Sequence, residues 1–422
     1  MLTIKQLRDN PAFVAERLNV KGFDAKGIID EIIKLDDSRK AIQTKLDANL
    51  AEQNSIAKEI GILFQQGKHS EAETAKQRST ELKEISKTMQ DEQADVEKLL
   101  QEKIILLPNL PHSSVPVGKT ADDNVEVRRG GIVSDLHNAL PHWELAKKYD
   151  IIDFELGVKL TGAGFPVYKG KGARLQRALI SMFLDINTAA GYLEIEPPIV
   201  VNEDSGFGTG QLPDKEGQMY HAQLDNFYLI PTAEVPVTNI YRDVILNKSD
   251  FPVKLTAYTP CFRREAGSYG KDVRGLNRLH QFDKVEIVEL SLPENSYDAL
   301  ERMVNHVEGI IKQLELPYRI IRLCGGDMSF TSALTYDFEV YSAAQGRWLE
   351  VSSVSNFESF QANRLKLRYR DENKKTQLAH TLNGSALALP RIVAALLENN
   401  QTEHGILIPQ LLQKYTGFTR IY

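Results

Sequence analysis

The chain has 422 residues with an apolar content of 42%, and its 51 Lys and Arg against 57 Asp and Glu give a net charge of −6. This length indicates two or three domains, and the acidic balance argues against non-specific nucleic-acid binding, which relies on a broadly positive surface. The two cysteines, Cys261 and Cys324, provide no disulfide framework, and the nine histidines form no H-x-x-x-H pair. We therefore expect a reducing compartment and no zinc site.

Residues 1–26 predict a short helical lead-in, with Pro11 suited to the start of a helix. Charged and apolar residues alternate there without a long apolar run, which indicates neither a signal peptide nor a membrane span. We expect a cytoplasmic protein that does not bind membranes.

Residues 28–105 predict two long helices that pair with each other, because their apolar residues recur at steps of four and three. The recurring positions are Ile28, Ile32, Leu35, Ile42, Leu46, Ile56, Ile60 and Leu63, then Ala75, Leu82, Ile85, Met89, Val96 and Leu99. The pattern breaks at residues 67–70, which begin with Gly67. We therefore predict an antiparallel hairpin whose helices are each roughly 55 Å long, at ~1.5 Å per residue.

Two interpretations of this hairpin remain open at the level of sequence. Heptad patterns are common in dimerisation coils, whereas the internal turn favours an arm that reaches a large partner. Polar residues interrupt the apolar positions at Arg39, Asn49, Gln53 and Glu92, and such residues fix the register of a coiled coil at some cost in stability.

A proline-rich linker over residues 106–119 separates the hairpin from a region of different character. Short β-rich runs at residues 227–230 and 284–289 lie between amphipathic helical stretches at 173–190 and 297–314. Because strands and helices do not alternate regularly, residues 120–422 predict an α+β domain built on an antiparallel sheet.

The segment with the clearest chemistry joins residues 261–265 (CFRRE) to residues 280–286 (HQFDKVE), which predict two strands and a connecting loop. The basic residues of this segment are Arg264, Lys271, Arg274 and Arg278. Arginine matches the geometry of phosphate oxygens, and Phe282 offers a flat face to a nucleobase. A solvated basic hairpin explains the cluster equally well when the segment is taken alone.

Two further segments are weak individually. Residues 382–391 form a run of small residues that ends at Arg391 and leads into an apolar helix, a pattern that ordinary packing also produces. Glu350 and Ser353 could supply oxygen ligands to Mg²⁺, although a half-exposed strand accounts for them too.

Together these segments resemble the three signature motifs of the class II aminoacyl-tRNA synthetases. Residues 191–198 are similar to the first motif, whose proline, here Pro198, lies at a dimer interface. Residues 208–213 (GTGQLP), 232–234 (TAE) and 350–361 narrow the resemblance to the seryl-tRNA synthetase family, and the N-terminal hairpin agrees. The resemblance covers nearly the whole chain.

The resemblance implies a role for each matching residue. Arg263 and Arg391 would be catalytic. Serine would be bound by Thr232, Ala233, Glu234, Glu286 and Ser385. ATP would be bound by Arg263, Arg264, Glu265, Leu279, Phe282, Glu350, Val351, Ser352, Ser353 and Arg391. Mg²⁺, brought with ATP, would be held by Glu350 and Ser353.

The implied reaction is a serine–tRNA ligase reaction. L-serine and ATP would form seryl-adenylate, and the seryl group would pass to tRNA-Ser, with tRNA-Sec as a further acceptor in the family. The resemblance also implies a homodimer, a tRNA-binding domain over residues 1–105 with its arm at 28–105, and a catalytic domain over 120–422.

Three alternatives remain. A threonyl or prolyl enzyme is disfavoured by residues 232–234 and by the arm, and threonyl enzymes of this class use zinc. A ligase that loads a carrier protein would lack the long arm. A coiled-coil scaffold would have no need of Arg263, Glu265, Glu350 and Arg391.

Overall fold

The computed structural model describes residues 1–133, 136, 138–214, 216–265 and 274–422. Lys271, one of the basic residues singled out above, lies outside this range. Contacts divide the chain into a hairpin unit, Leu2–Asn19 with Phe23–Pro108, and a sheet unit, Met1 with Val20–Gly22 and Asn109–Tyr422. Within the described residues, none of the helices is both long and apolar enough to cross a bilayer.

The hairpin unit consists of four helices in chain order. They are α1 (Ile4–Asp9), α2 (Pro11–Val20), α3 (Lys26–Gln65) and α4 (His69–Ile104). Pro11 opens α2, where its missing N–H costs no hydrogen bond. Gly67 takes a φ of +74° in the turn between α3 and α4, a conformation that favours glycine. The 40 and 36 residues of α3 and α4 span about 60 and 54 Å at ~1.5 Å per residue, which confirms the long antiparallel hairpin.

The line of contact between α3 and α4 differs in part from the predicted one. The buried residues of the two helices are Ile29, Ile32, Asp36, Ile42, Leu46, Asn49 and Leu63, facing Ala72, Leu82, Ser86, Leu100 and Ile104. Ile85 and Leu99 are exposed at 41% and 47%, so their predicted burial is wrong. Ser86 lies in the contact line in place of Ile85, and Asn49 and Gln53 both donate hydrogen bonds to its hydroxyl. Glu92 is also exposed rather than interrupting the contact line.

A buried carboxylate ties α1 to α3. Asp36 is fully buried, and it pairs with Arg8 at 2.9 Å, Arg39 at 2.8 Å and Lys40 at 2.8 Å. Burial opposes the charge, but the hydrogen bonds from Lys40 and Arg39 keep the pKa of Asp36 below its usual value. Three cations satisfy the carboxylate, which is the condition under which a charge can be buried.

The sheet unit contains nineteen strands and nine further helices in its described part. The strands are β1 (Val125–Gly130), β2 (Ile152–Asp153), β3 (Val167–Tyr168), β4 (Leu193–Glu194), β5 (Val200–Val201), β6 (His221–Ala222), β7 (Phe227–Leu229), β8 (Ile245–Asn247), β9 (Val253–Phe262), β10 (Gln281–Ser291), β11 (Tyr318–Arg322), β12 (Leu334–Ser342), β13 (Arg347–Asn356), β14 (Arg368–Arg370), β15 (Thr376–Leu378), β16 (His380–Ala388), β17 (Gln401–Thr402), β18 (Gly405–Leu407) and β19 (Arg420–Ile421). The helices are α5 (His142–Lys148), α6 (Phe154–Leu160), α7 (Gly170–Ala189), α8 (Glu203–Thr209), α9 (Glu234–Asn239), α10 (Ser296–Gln313), α11 (Ser359–Leu365), α12 (Leu389–Asn399) and α13 (Gln410–Thr416).

One large sheet organises this unit. Its eight strands follow the order β1-β11-β12-β13-β16-β10-β9-β4, and all neighbours are antiparallel except the short pair of β4 and β9. Helices α7, α10 and α12 pack on one face and enclose the main core, while α9 and α11 contact the other face. The predicted α+β class with an antiparallel sheet is therefore confirmed.

Candidate active site

The face of the sheet opposite the main core carries the polar side chains that the sequence singled out. Glu286 on β10 lies between Ala257 on β9 and Ser385 on β16. Two strands away, Ser353 on β13 lies opposite Asp337 on β12. Side chains alternate between the faces of a strand, and residues paired across strands share a face. The sheet therefore brings together residues that lie far apart in sequence.

Glu286 forms a buried cluster with two neighbours. Its side chain is 1% exposed, and its Oε2 accepts a hydrogen bond from the Thr232 hydroxyl at 3.3 Å. The ammonium of Lys284 lies 2.5 Å from the same oxygen and donates to Thr232 Oγ1 at 2.9 Å. Thr232 sits just before α9, and its hydroxyl also accepts from the backbone N–H of Glu234 at 3.1 Å.

A second carboxylate, Glu234, opens α9 beside this cluster. Gln361 on α11 donates to Glu234 Oε1 at 2.6 Å and to the carbonyl of Thr209 at 3.1 Å, and it accepts from Thr381. Burial, followed by repulsion from Glu286, raises the pKa of Glu234 to about 7. The hydrogen bond from Gln361 and the charges of Lys284 and Arg263 oppose this shift without cancelling it.

This raised pKa gives the stability of the protein a definite pH dependence. Between about 4.5 and 7 the folded protein holds a proton on Glu234 that the unfolded chain has released, so the contribution of Glu234 to stability falls as pH rises. Glu234→Gln, which stays neutral, should match the wild type near pH 5 and exceed it near pH 8 by on the order of 3 kcal/mol. Melting curves of both proteins across this range test the expectation. A stability difference that does not change with pH would contradict it.

The residues of the CFRRE segment surround the end of β9. Arg263 donates from its backbone N–H to the carbonyl of His280 at 2.9 Å and from Nε to the carbonyl of Pro231 at 3.4 Å. Its guanidinium lies 5.3 Å from the ring centroid of Phe282. These contacts place the predicted phosphate-binding arginine beside the predicted adenine-stacking ring.

Arg264 and Glu265, the next two residues of this segment, contact other side chains. Glu265 adopts a φ of +47° and pairs with Arg278 at 2.9 Å. Arg264 is exposed, and its guanidinium lies 5.7 Å from the ring centroid of Tyr220.

Arg391 opens α12 and is fixed by backbone carbonyls. It donates from Nε to Asn277 O at 3.0 Å and from Nη1 to Glu350 O at 2.8 Å. The segment that carries Asn277 is itself anchored, because the N–H of Leu276 donates to Nε2 of the buried His142 at 2.8 Å. Arg391 therefore connects the residues just before β10 to β13.

Four further predicted site residues are also buried in the protein. Ala233 is 0% exposed, Leu279 4%, Val351 1% and Ser352 2%, and the Ser352 hydroxyl donates to the carbonyl of Ser385 at 2.5 Å. Three of these side chains have no group that forms strong hydrogen bonds and the Ser352 hydroxyl is engaged, so we expect any polar contact with a ligand to come from their backbones. Their assignment to the site stays a prediction.

The predicted Mg²⁺ residues belong to an acidic group on the polar face. Glu350 is half-exposed, and it lies opposite Glu339, which is two residues along β12 from Asp337. Asp337 is 9% exposed, and its Oδ1 is buried without a hydrogen-bond partner. Burial, then repulsion from Glu350, raises the pKa of Asp337 well above its usual range. Mg²⁺ is commonly held by one or two carboxylates and substrate phosphates, so this donor set fits the metal.

Lys284, Gln361 and Asp337 are polar residues of the site that received no role from the sequence. Lys284 could have been found from strand alternation, since it lies between Phe282 and Glu286 and all three share one face. Gln361 lies within residues 350–361, which the sequence singled out, but its contact with Glu234 was not predicted. No local pattern marks Asp337. In the described part of the chain, no group of three or more His, Cys, Asp and Glu side chains has the arrangement of a metal site.

Comparison with known proteins agrees with this geometry. The model of the seryl-tRNA synthetase N-terminal domain matches residues 1–111, and the model of the tRNA synthetase class II core domain (G, H, P, S and T) matches residues 219–400. A serine–tRNA ligase of Salinibacter ruber is 50% identical, covering 100% of this chain and 99% of the relative. One from Carboxydothermus hydrogenoformans is 45% identical, with 100% of each chain covered.

Comparison with solved structures also finds similarity to seryl-tRNA synthetases. The chain superposes on the seryl-tRNA synthetase of Pyrococcus horikoshii, solved in complex with ATP, with a TM-score of 0.93 and 33% identity over 100% of this chain and 99% of the other. A prolyl-tRNA synthetase of Giardia lamblia reaches a TM-score of 0.56 at 15% identity over 64% of this chain and 54% of the other, which reflects a common fold alone. With full-length relatives of 45 to 50% identity and both family models matched, the chain belongs to the seryl-tRNA synthetase family.

Proposed function

We propose that this protein activates L-serine with ATP to form seryl-adenylate and then transfers the seryl group to tRNA-Ser, with tRNA-Sec as a second acceptor. The observation that carries the proposal is the buried pair of carboxylates, Glu234 and Glu286, beside Arg263. Carboxylates suit the ammonium and hydroxyl of serine, and an arginine suits a phosphate. Exchange of labelled pyrophosphate into ATP that depends on serine tests the first step.

The first step needs positioning and charge neutralisation rather than a protein nucleophile. The serine carboxylate attacks the α-phosphorus of ATP and forms a new P–O bond. The bond between the α-phosphorus and the oxygen that bridges to the β-phosphate breaks, and pyrophosphate leaves. Arg263 would bind the α-phosphate, and Phe282 and Arg391 would hold the adenine ring between them. Preorganised cations of this kind stabilise the charge that develops in the transition state.

The second step transfers the acyl group to tRNA. A hydroxyl of the 3′-terminal ribose attacks the acyl carbonyl, an ester bond forms, and AMP leaves. The serine pocket holds the acyl group during both steps, with Thr232, Ala233 and Ser385 completing the set around Glu234 and Glu286.

Glu350 and Ser353 would hold Mg²⁺ brought with ATP, and the unpartnered Oδ1 of Asp337 supports a cation at this place. When bound, Mg²⁺ neutralises phosphate charge and orients the triphosphate. Glu265, Arg264, Leu279, Val351 and Ser352 would complete the ATP site, the last three through their backbones.

We further propose that residues 1–105 bind tRNA through the arm at 28–105, that 106–119 form the linker, and that 120–422 form the catalytic domain of a cytoplasmic homodimer. Residues 191–198 would lie at the dimer interface. Leu193 on the edge strand β4 is 63% exposed, and Val200 on β5 is 42% exposed. Exposed apolar side chains within and next to residues 191–198 support burial of this segment against a partner.

Replacing Glu286 should separate serine binding from ATP binding. Glu286→Gln keeps the shape of the side chain but removes the charge that would pair with the serine ammonium. The dissociation constant for serine should rise by roughly 100-fold, because a buried charged contact is lost, whereas the constant for ATP should change little. Calorimetric titration of each ligand measures both constants. Equal losses for the two ligands would contradict this division of the site.

A further inference from the structure

Lys284 is a buried cation that none of the proposed steps uses. Its side chain is 7% exposed, and its ammonium contacts Glu286 Oε2 at 2.5 Å and Thr232 Oγ1 at 2.9 Å. Burying an ammonium is costly unless it is paired, and this one is paired inside the pocket that would bind the substrate ammonium.

The side chains of Lys284, Thr232 and Glu286 are all in contact with one another. The Thr232 hydroxyl accepts from Lys284 and from the N–H of Glu234, and it donates to Glu286. A hydroxyl has one donor and two acceptor sites, so this hydroxyl is fully used. Lys284 and Thr232 both contact Oε2 of Glu286 and thereby fix the orientation of its carboxylate.

The charges of the pocket also depend on Lys284. Glu234 and Glu286 are both buried, and the ammonium of Lys284, paired with Glu286, makes the net charge of the set more positive by one. Serine presents one ammonium and a neutral hydroxyl to such a pocket. Without Lys284, the set would be more negative by one charge, and the pocket would suit a substrate with a second cation.

We propose that Lys284 is a specificity-determining residue of the amino-acid pocket, which cancels one carboxylate charge and so selects a β-hydroxyl over a β-ammonium. This inference rests on the proposed activation of serine. The relevant competitor is L-2,3-diaminopropionate, in which an ammonium replaces the hydroxyl of serine with little change in size.

The test is Lys284→Met, which keeps much of the side-chain length and removes the charge. Serine- and diaminopropionate-dependent pyrophosphate exchange are measured for the wild type and the variant. We expect kcat/KM for serine to fall at least ~10-fold and the preference for serine over diaminopropionate to narrow by roughly 100-fold, the scale of a buried charge pair. ATP affinity should stay within about 3-fold, since the removed contact lies in the amino-acid pocket.

Two matched variants separate charge from structure. Lys284→Arg keeps the charge and should keep the preference for serine even where KM rises. Lys254→Met makes the same change on neighbouring β9, where Lys254 lies 5.5 Å from the Tyr192 ring, and it should leave the preference unchanged. If Lys284→Met does not fold, Lys284→Gln carries the same expectation.

Parallel losses for serine, diaminopropionate and ATP, together with a lower melting temperature, would overturn the inference and leave Lys284 a structural residue. An unchanged preference in a folded variant would overturn it as well. A wild-type protein that activates no serine at all would instead overturn the proposed function, so the two failures are distinguishable.

Discussion

Arg263→Ala should lower serine-dependent pyrophosphate exchange by ~10²–10³-fold while the protein remains folded. The substitution removes a charge-assisted contact to the phosphate at which the reaction takes place, which costs at least ~3 kcal/mol of barrier. The guanidinium is held in place by Pro231 O and lies beside Phe282, so no neighbouring side chain is expected to replace it.

Exchange rates and melting temperatures of the wild type and Arg263→Ala measure this effect. Arg129→Ala is the matched control, because Arg129 is an exposed residue of β1 that pairs with Glu126. The control should retain full exchange activity. Near-normal exchange by Arg263→Ala would show that the CFRRE segment does not bind the reacting phosphate.

Shortening the arm should strongly reduce tRNA charging and leave serine activation intact. Leu46 and Met89 lie at the same level of the hairpin, as shown by the hydrogen bonds between Gln93 and Gln43 and between Asn49 and Leu82. Replacing residues 47–88 by a short Gly/Ser linker therefore keeps the helix pairing below the cut and the buried cluster at Asp36. Loss of the proposed tRNA contact should reduce kcat/KM for tRNA by at least ~100-fold, equivalent to about 3 kcal/mol of binding.

The control for this truncation is internal, because pyrophosphate exchange does not involve tRNA. We expect exchange at the wild-type rate from the same preparation. Equal charging of tRNA-Ser by the truncated and complete proteins would mean that the arm is a structural element, such as a dimerisation coil.

The hairpin was predictable because a steady spacing of apolar residues fixes both the helix and the side it buries. The spacing could not show which polar residues join the contact line. Ser86 is buried, where it accepts hydrogen bonds from Asn49 and Gln53, whereas Ile85 is exposed. Hydrophobicity alone would predict that Ile85, rather than Ser86, is buried.

The residues of the candidate site were predictable where they lie in recognisable segments, such as Arg263 and Glu286. The roles of Lys284, Gln361 and Asp337 were not, because each also contacts a residue on a different segment of the chain. Charged residues are exposed in most proteins, and their burial becomes visible only when the sheet register is known. The sequence also could not show the hydrogen bonds of Thr232. Its hydroxyl bonds to the side chains of Lys284 and Glu286 and to the backbone N–H of Glu234.

The most direct test of the proposed function is aminoacylation of unfractionated tRNA with each of the twenty amino acids and ATP. We expect acid-precipitable product with serine alone, on tRNA-Ser and tRNA-Sec. Charging with threonine or proline at a comparable rate, or formation of an adenylate that is never transferred to tRNA, would contradict the account.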